Sequence, residues 1–138
     1  MIRKAAVAGH FYPGNREQLV SFLKEHLTYE GERLPAKAIV APHAGYPYSG
    51  SVAAGVYSRV ALPRRFIIMC PNHTGLGTQI SIMESGEWEI PTGTFKIDEK
   101  ISHRIAMNVP LVTKDAKAHM FEHSLEVQLP FIAQSAMT

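Results

Sequence analysis

Two histidines leave two apolar runs in the same manner. Lys37-Ala38-Ile39-Val40-Ala41 leads into Pro42-His43-Ala44-Gly45-Tyr46, and Arg65-Phe66-Ile67-Ile68-Met69-Cys70 leads into Pro71-Asn72-His73-Thr74-Gly75. Neutral imidazole is a good metal donor at neutral pH, provided a rigid element fixes it. Two such ligands suit zinc, or iron where a carboxylate completes a facial triad with open positions. The plainer reading, a hydrogen bond within each loop, stays open beside it. Matched placement of the pair puts the metal reading on an equal footing.

A second motif lies near the C-terminus. His119-Met120-Phe121-Glu122-His123 matches H-x-x-E-H, a zinc-peptidase signature that needs both histidines on one helix face. The preceding Lys114-Asp115-Ala116-Lys117-Ala118 has little apolar periodicity and Ser124 resembles a cap, so a helix starting after the histidines is expected instead. His123 would then sit at a first turn, where the dipole favours neutral imidazole, as a general acid or base. It or Glu126 could equally tie the helix to a loop. Cys70 is a possible thiolate, though a lone cysteine in an apolar run is commonly packing. Phe11, Tyr12, Tyr46 and Tyr48 either wall a pocket or pack around a sheet edge. Spacing gives no role to His10, His26 or His103.

The elements that would position these residues follow from pattern. Residues 38–41 and 66–70 are short enough for buried strands, with a helix between them capped by Ser49 or Ser51 and striped by Val52, Ala53, Val56, Tyr57 and Val60. A right-handed βαβ crossover makes such strands parallel and opens both carboxyl ends on one edge, where α/β proteins bind ligands. Asn15 caps an earlier helix carrying Leu19, Val20, Leu23 and Leu27 on one face, with Gln18 at the third position. Ile80 and Ile82 alternate with polar residues as in a half-exposed strand. Gly86 to Asp98 reads as a turn and a short strand, and Asp98 caps a helix with Ile101 and Ile105. Leu111-Val112 begins another strand, and a last helix starts near Ser124 and is kinked by Pro130. The expected fold is α/β, with a mostly parallel or mixed central sheet and helices on both faces.

Composition sets the limits. The 138 residues, 46% hydrophobic and 19% charged, suit a single packed domain. The net charge of +2 is scattered, so no basic stripe points to nucleic acid or to a membrane surface. One cysteine forms no intrachain disulfide. The start lacks a signal peptide's apolar stretch, and no run approaches a membrane span. A cytoplasmic protein is the expectation.

Several segments together resemble the Memo family, whose bacterial and archaeal members are known as AmmeMemoRadiSam system protein B. They are Ala8-Gly9-His10-Phe11-Tyr12-Pro13, Ala41-Pro42-His43-Ala44-Gly45-Tyr46 with Tyr48-Ser49-Gly50, Pro71-Asn72-His73, Pro91-Thr92-Gly93, and Glu122-His123-Ser124-Leu125-Glu126 with Leu129-Pro130. The resemblance implies a fold like that of class III extradiol dioxygenases, which open catechol rings with non-haem Fe(II). It makes His43 and His73 the two histidine ligands of a metal site, vestigial or active. His123 becomes a pocket or proton-transfer residue, the catalytic candidate, and Phe11 and Tyr48 become pocket-lining residues. His10 stands where a small residue, usually serine, is expected, so its ring would crowd the pocket or add a donor. Fe(II) is the favoured cofactor, with Cu or Zn as alternatives, and the partner is a small molecule or a peptide. A non-catalytic module binding such a ligand in the same pocket is the alternative to redox activity. A family member is about twice this long, so residues 1–138 resemble the N-terminal part of one domain. The other part would carry the third ligand, a cysteine that Cys70 does not match.

Overall fold

The computed structural model describes residues 1–136. In chain order it contains β1 (Ile2–Lys4), α1 (Arg16–His26), β2 (Leu34–Pro35), α2 (Tyr46–Ser58), β3 (Val60–Ala61), β4 (Ser81–Ile82), β5 (Glu87–Ile90), β6 (Gly93–Lys96), α3 (Glu99–Asn108), β7 (Thr113–Lys114), a 3₁₀ turn at Lys117–His119, α4 (His123–Glu126) and α5 (Leu129–Ser135).

Local chemistry sets the helix starts that the sequence predicts best. The Asn15 side chain accepts from the N–H groups of Glu17 (2.8 Å) and Gln18 (3.2 Å), satisfying two donors that α1 cannot. Asp98 does the same for Ile101 at the start of α3 (3.1 Å). The kink expected at Pro130 is a break between α4 and α5, with the proline in the first turn of the new helix, where its missing N–H costs nothing. For α2 the expectation of a serine cap is corrected. The helix begins at Tyr46 after Gly45, with Pro47 in its first turn. A long-range contact fixes that start, since Tyr46 N–H donates to the carbonyl of Phe11 (2.7 Å).

The fold is α/β, and its strands form three small sheets. β1 runs parallel to β5, with Arg3 opposite Trp88, and β5 turns back antiparallel into β6. β2 pairs parallel with β3, and β4 with β7. The expected strands at 38–41 and 66–70 are corrected: both runs lack ladder pairing, and the parallel pairing sits just upstream of them at β2 and β3. An apolar run specifies a tendency to extend, whereas a strand also needs a neighbouring backbone. Val40 and Met69 are 92% and 91% exposed, and the two runs flank a groove of about 320 Å³.

The core lies between α1, α2 and α5. Leu19 and Leu23, then Ala53, Ala54 and Tyr57, then Leu129, Phe131 and Ile132 are buried together, with Tyr57 and Phe131 stacked at 5.4 Å. Thus α2 packs on helices, and its buried stripe contains Gly50 and Ala54 while Val52 faces solvent. Gly50 permits that approach, because a Cβ there would lie 2.8 Å from the Phe22 ring. No helix among the described residues is long and apolar enough to cross a membrane.

Candidate metal centre

Both proline–histidine exits are pinned by one stretch of chain, α4 and the turn that follows it. Ser124 Oγ donates to the carbonyl of Pro71 (3.1 Å), and Gln128 Nε2 donates to the carbonyl of Pro42 (3.0 Å). Residues four apart share a helical face, so one turn of chain sets both loops. Gln128 is itself oriented by Tyr57, whose hydroxyl donates to Oε1 (2.9 Å). The Asn72 side chain shapes the second loop by accepting from Thr74 and Gly75 N–H groups (3.0 and 3.1 Å).

These tethers bring three imidazoles together. Ring centroids of His43 and His73 are 5.2 Å apart, His73 and His123 4.4 Å, and His43 and His123 5.9 Å. One nitrogen from each lies within 4.8 Å of the others. Zinc or iron held at about 2.0–2.1 Å by each nitrogen needs donors closer than that, so a small inward movement of the rings fits an ion. Three imidazoles suit zinc, copper, iron and nickel.

Glu122 is the group that sequence reading missed. Its side chain is 3% exposed. Oε1 accepts from His73 Nδ1 (2.9 Å) and Ser124 N–H (2.9 Å), and Oε2 accepts from His73 N–H (2.5 Å). His123 Nδ1 is 3.3 Å from the same carboxylate. Burial opposes ionisation, but the N–H groups of Ser124 and His73 and the His73 ring outweigh it, holding the carboxyl at about 2. With its oxygens engaged this way, Glu122 sits behind the histidines. Burial pushes His123 down, against the pull of Glu122, and the neighbouring His73 and His43 push it the same way.

The remaining candidates separate clearly. Phe11 packs on His123 with centroids 4.4 Å apart. Tyr12 and Tyr46 are core residues, whereas Tyr48 is 86% exposed and His10 stands in solvent. Cys70 is half-buried, outside the histidine group, and burial raises its thiol. The H-x-x-E-H alternative finds no shared helix face, in keeping with the late helix start expected from the sequence. His119 ends the 3₁₀ turn, its Nε2 lies 3.2 Å from Ser81 Oγ, and its ring meets the edge of Trp88, while His123 opens α4. The two rings occupy different elements and share no metal-binding group.

A buried ion pair anchors the helix that carries all this. Arg3 and Glu126 are both fully buried and paired. Arg3 also donates to the carbonyls of His119 (3.2 Å) and Glu122 (2.9 Å), and lies over the Trp88 ring at 4.3 Å. Glu126 accepts from Ala6 and Val7 N–H groups and from Tyr12 OH (2.9, 3.1 and 2.7 Å).

Fold and site therefore define an α/β protein whose matched loops bring histidines to one open cleft. The chain belongs to the Memo family: the family model described as Memo-like protein matches residues 3–138. It is 49% identical to a MEMO1 family protein of Pyrococcus furiosus over 96% of this chain and 47% of the relative. It is 43% identical to a MEMO1 family protein of Aquifex aeolicus (98% and 51%), and 40% identical to one from Methanobrevibacter smithii (96% and 52%). The chain spans about half the length of the curated relatives it matches.

Proposed function

We propose that this chain carries a divalent-metal centre of the non-haem iron type, with His43 and His73 as ligands. The observation that carries the reading is the meeting of these two rings, centroids 5.2 Å apart, from two loops that Ser124 and Gln128 pin by their proline carbonyls. His73 presents Nδ1 to Glu122, which leaves Nε2 as its donor. Fe(II) is the first choice, with Cu or Zn also matched to imidazole. A bound iron would supply redox and Lewis-acid chemistry. Around it, Phe11 buttresses His123, and His123 stands within reach of any ligand that enters. The cleft is open, since the His73 side chain is 41% exposed, so a small molecule or an exposed peptide side chain could approach. A cytoplasmic setting suits the unpaired thiol of Cys70.

The test is retention of iron. Protein loaded anaerobically with Fe(II) and desalted should hold close to one equivalent, and the double variant His43→Ala, His73→Ala should hold none. Equal iron in both would end this reading. Binding of a small molecule or peptide that is indifferent to metal and survives the double substitution would instead favour a non-catalytic binding module, which the same openness permits.

A further inference from the structure

We infer that residues 37–41 and 66–70 form a docking face for the part of the polypeptide that the relatives carry beyond the matched region, and that this part covers it with an apolar, carboxylate-bearing layer. The inference is independent of the metal reading. Three observations carry it.

The first is the composition of the two runs. Ala38-Ile39-Val40-Ala41 and Phe66-Ile67-Ile68-Met69-Cys70 are apolar at consecutive positions, and in extended backbone consecutive side chains point to opposite faces. Such runs belong to sheets covered on both faces, whereas a sheet with one face in water alternates apolar with polar residues. Here one face is covered. Ala41 and Ile68 pack against the core, while Val40, Ile67 and Met69 stand in solvent.

The second is the chemistry around the bare face. The paired strands β2 and β3 lead into the two runs, so exposed Leu34, Ile39, Val40, Phe66, Ile67 and Met69 follow one another along two neighbouring stretches. Apolar side chains gathered in this way mark an interaction surface. Two basic side chains, Lys37 and Arg65, line the groove between the runs, and no acidic one does. Arg65 meets Asp98 at 3.0 Å, whereas Lys37 has no carboxylate partner among the described residues. A complementary surface is therefore apolar, with a carboxylate placed for Lys37.

The third is the size of what the relatives add. The match covers 47, 51 and 52% of three of them, so each carries about as much polypeptide again. That is enough chain for a second layer over two strands.

The test joins residues 1–138 to the unmatched part of the Pyrococcus furiosus relative in one chain and compares it with the 138-residue protein. Hydrogen exchange is the direct probe. Amides 38–41 and 66–70 should exchange freely in the 138-residue protein and be slowed about 100-fold or more in the fused chain. Substitution gives a second reading. Val40→Lys with Met69→Lys should lower the Tm of the fused chain by roughly 10 °C or more, because it buries two ammonium groups. The same pair should move the Tm of the 138-residue protein by less than roughly 3 °C. Free exchange of both runs in the fused chain, or indifference of its Tm to the two lysines, would overturn the inference. So would a fused chain that still associates through these residues, since a second copy would then be the occupant. Should the fused chain fail to fold, the full-length Pyrococcus furiosus relative, with lysines at the two aligned positions, decides by the same criteria.

Discussion

Arg3 and Glu126 form an ion pair with both side chains fully buried, although 123 residues separate them in sequence. Its effect is to make the N-terminal segment and α4 one unit. Glu126 collects four donors from that segment, and Arg3 returns two bonds to the carbonyls of His119 and Glu122. Since α4 carries His123 and Ser124 and is capped by Glu122, the pair sets the floor of the candidate centre from behind.

Removing one partner leaves the other charged and enclosed. Arg3→Ala or Glu126→Ala should each destabilise the fold by about 3–5 kcal/mol, a fall in Tm of roughly 10–20 °C for a domain of this size. Thermal unfolding followed by circular dichroism measures it. A loss below about 1 kcal/mol, the range of exposed pairs, would show that water reaches the pair.

Three buried tyrosines predict the alkaline limit of the fold. Burial pushes Tyr57 up to about 12, and pushes Tyr12 and Tyr46 up as well, Tyr12 with help from its bond to Glu126. A folded value above the unfolded value near 10 means that the stabilisation is complete below pH 10. It is lost as pH rises from 10 through the folded values, because only the unfolded chain then releases protons. Tyrosinate absorbance from these three should therefore appear together with loss of helical signal. Tyr57→Phe should reduce the slope of stability between pH 10 and 12. Full tyrosinate absorbance in protein that keeps its helices would contradict this.

What was legible in the sequence is local. Asn15 and Asp98 cap their helices because a cap needs only the next three residues, and Pro130 ends α4 because a proline has no N–H to give. The paired exits of His43 and His73 were legible because their punctuation repeats. Glu126 was named as a tie from the helix to a loop, which it makes to Ala6 and Val7, but its pairing with Arg3 and the role of Glu122 were not legible, because their partners lie far away in sequence. Residues 38–41 and 66–70 show the opposite error, since their apolar character is visible in sequence whereas their backbone partners are not. Tyr48, a pocket residue by resemblance, is in solvent in this chain.

Those two runs predict self-association. Val40 and Met69 are over 90% exposed and Ile67 is 68% exposed, beside backbone that no ladder satisfies. Sedimentation should show association that grows with protein concentration. Val40→Lys with Met69→Lys should shift it towards monomer while changing stability by less than about 0.5 kcal/mol, as for other surface substitutions. Association unaffected by both lysines would place the contact elsewhere.

The tethers from Ser124 in α4 and Gln128 in the turn after it predict separable effects on the two histidine loops. The Ser124 hydroxyl holds the Pro71 carbonyl, whereas Gln128 links Pro42 and Tyr57 at once and also donates to the Ser124 carbonyl. Ser124→Ala should thus cost about 1 kcal/mol, and Gln128→Ala about 1–3 kcal/mol, because it leaves a buried hydroxyl and a carbonyl unsatisfied. Urea unfolding reads those costs, and hydrogen exchange reads their location. Gln128→Ala should raise exchange around His43 and leave the His73 loop protected, and Ser124→Ala should do the reverse. The His73 loop should open less, because Glu122 still holds its backbone and ring. Either variant opening both loops equally would mean that residues 124–128 act as a single wedge, and independent pinning would be refuted.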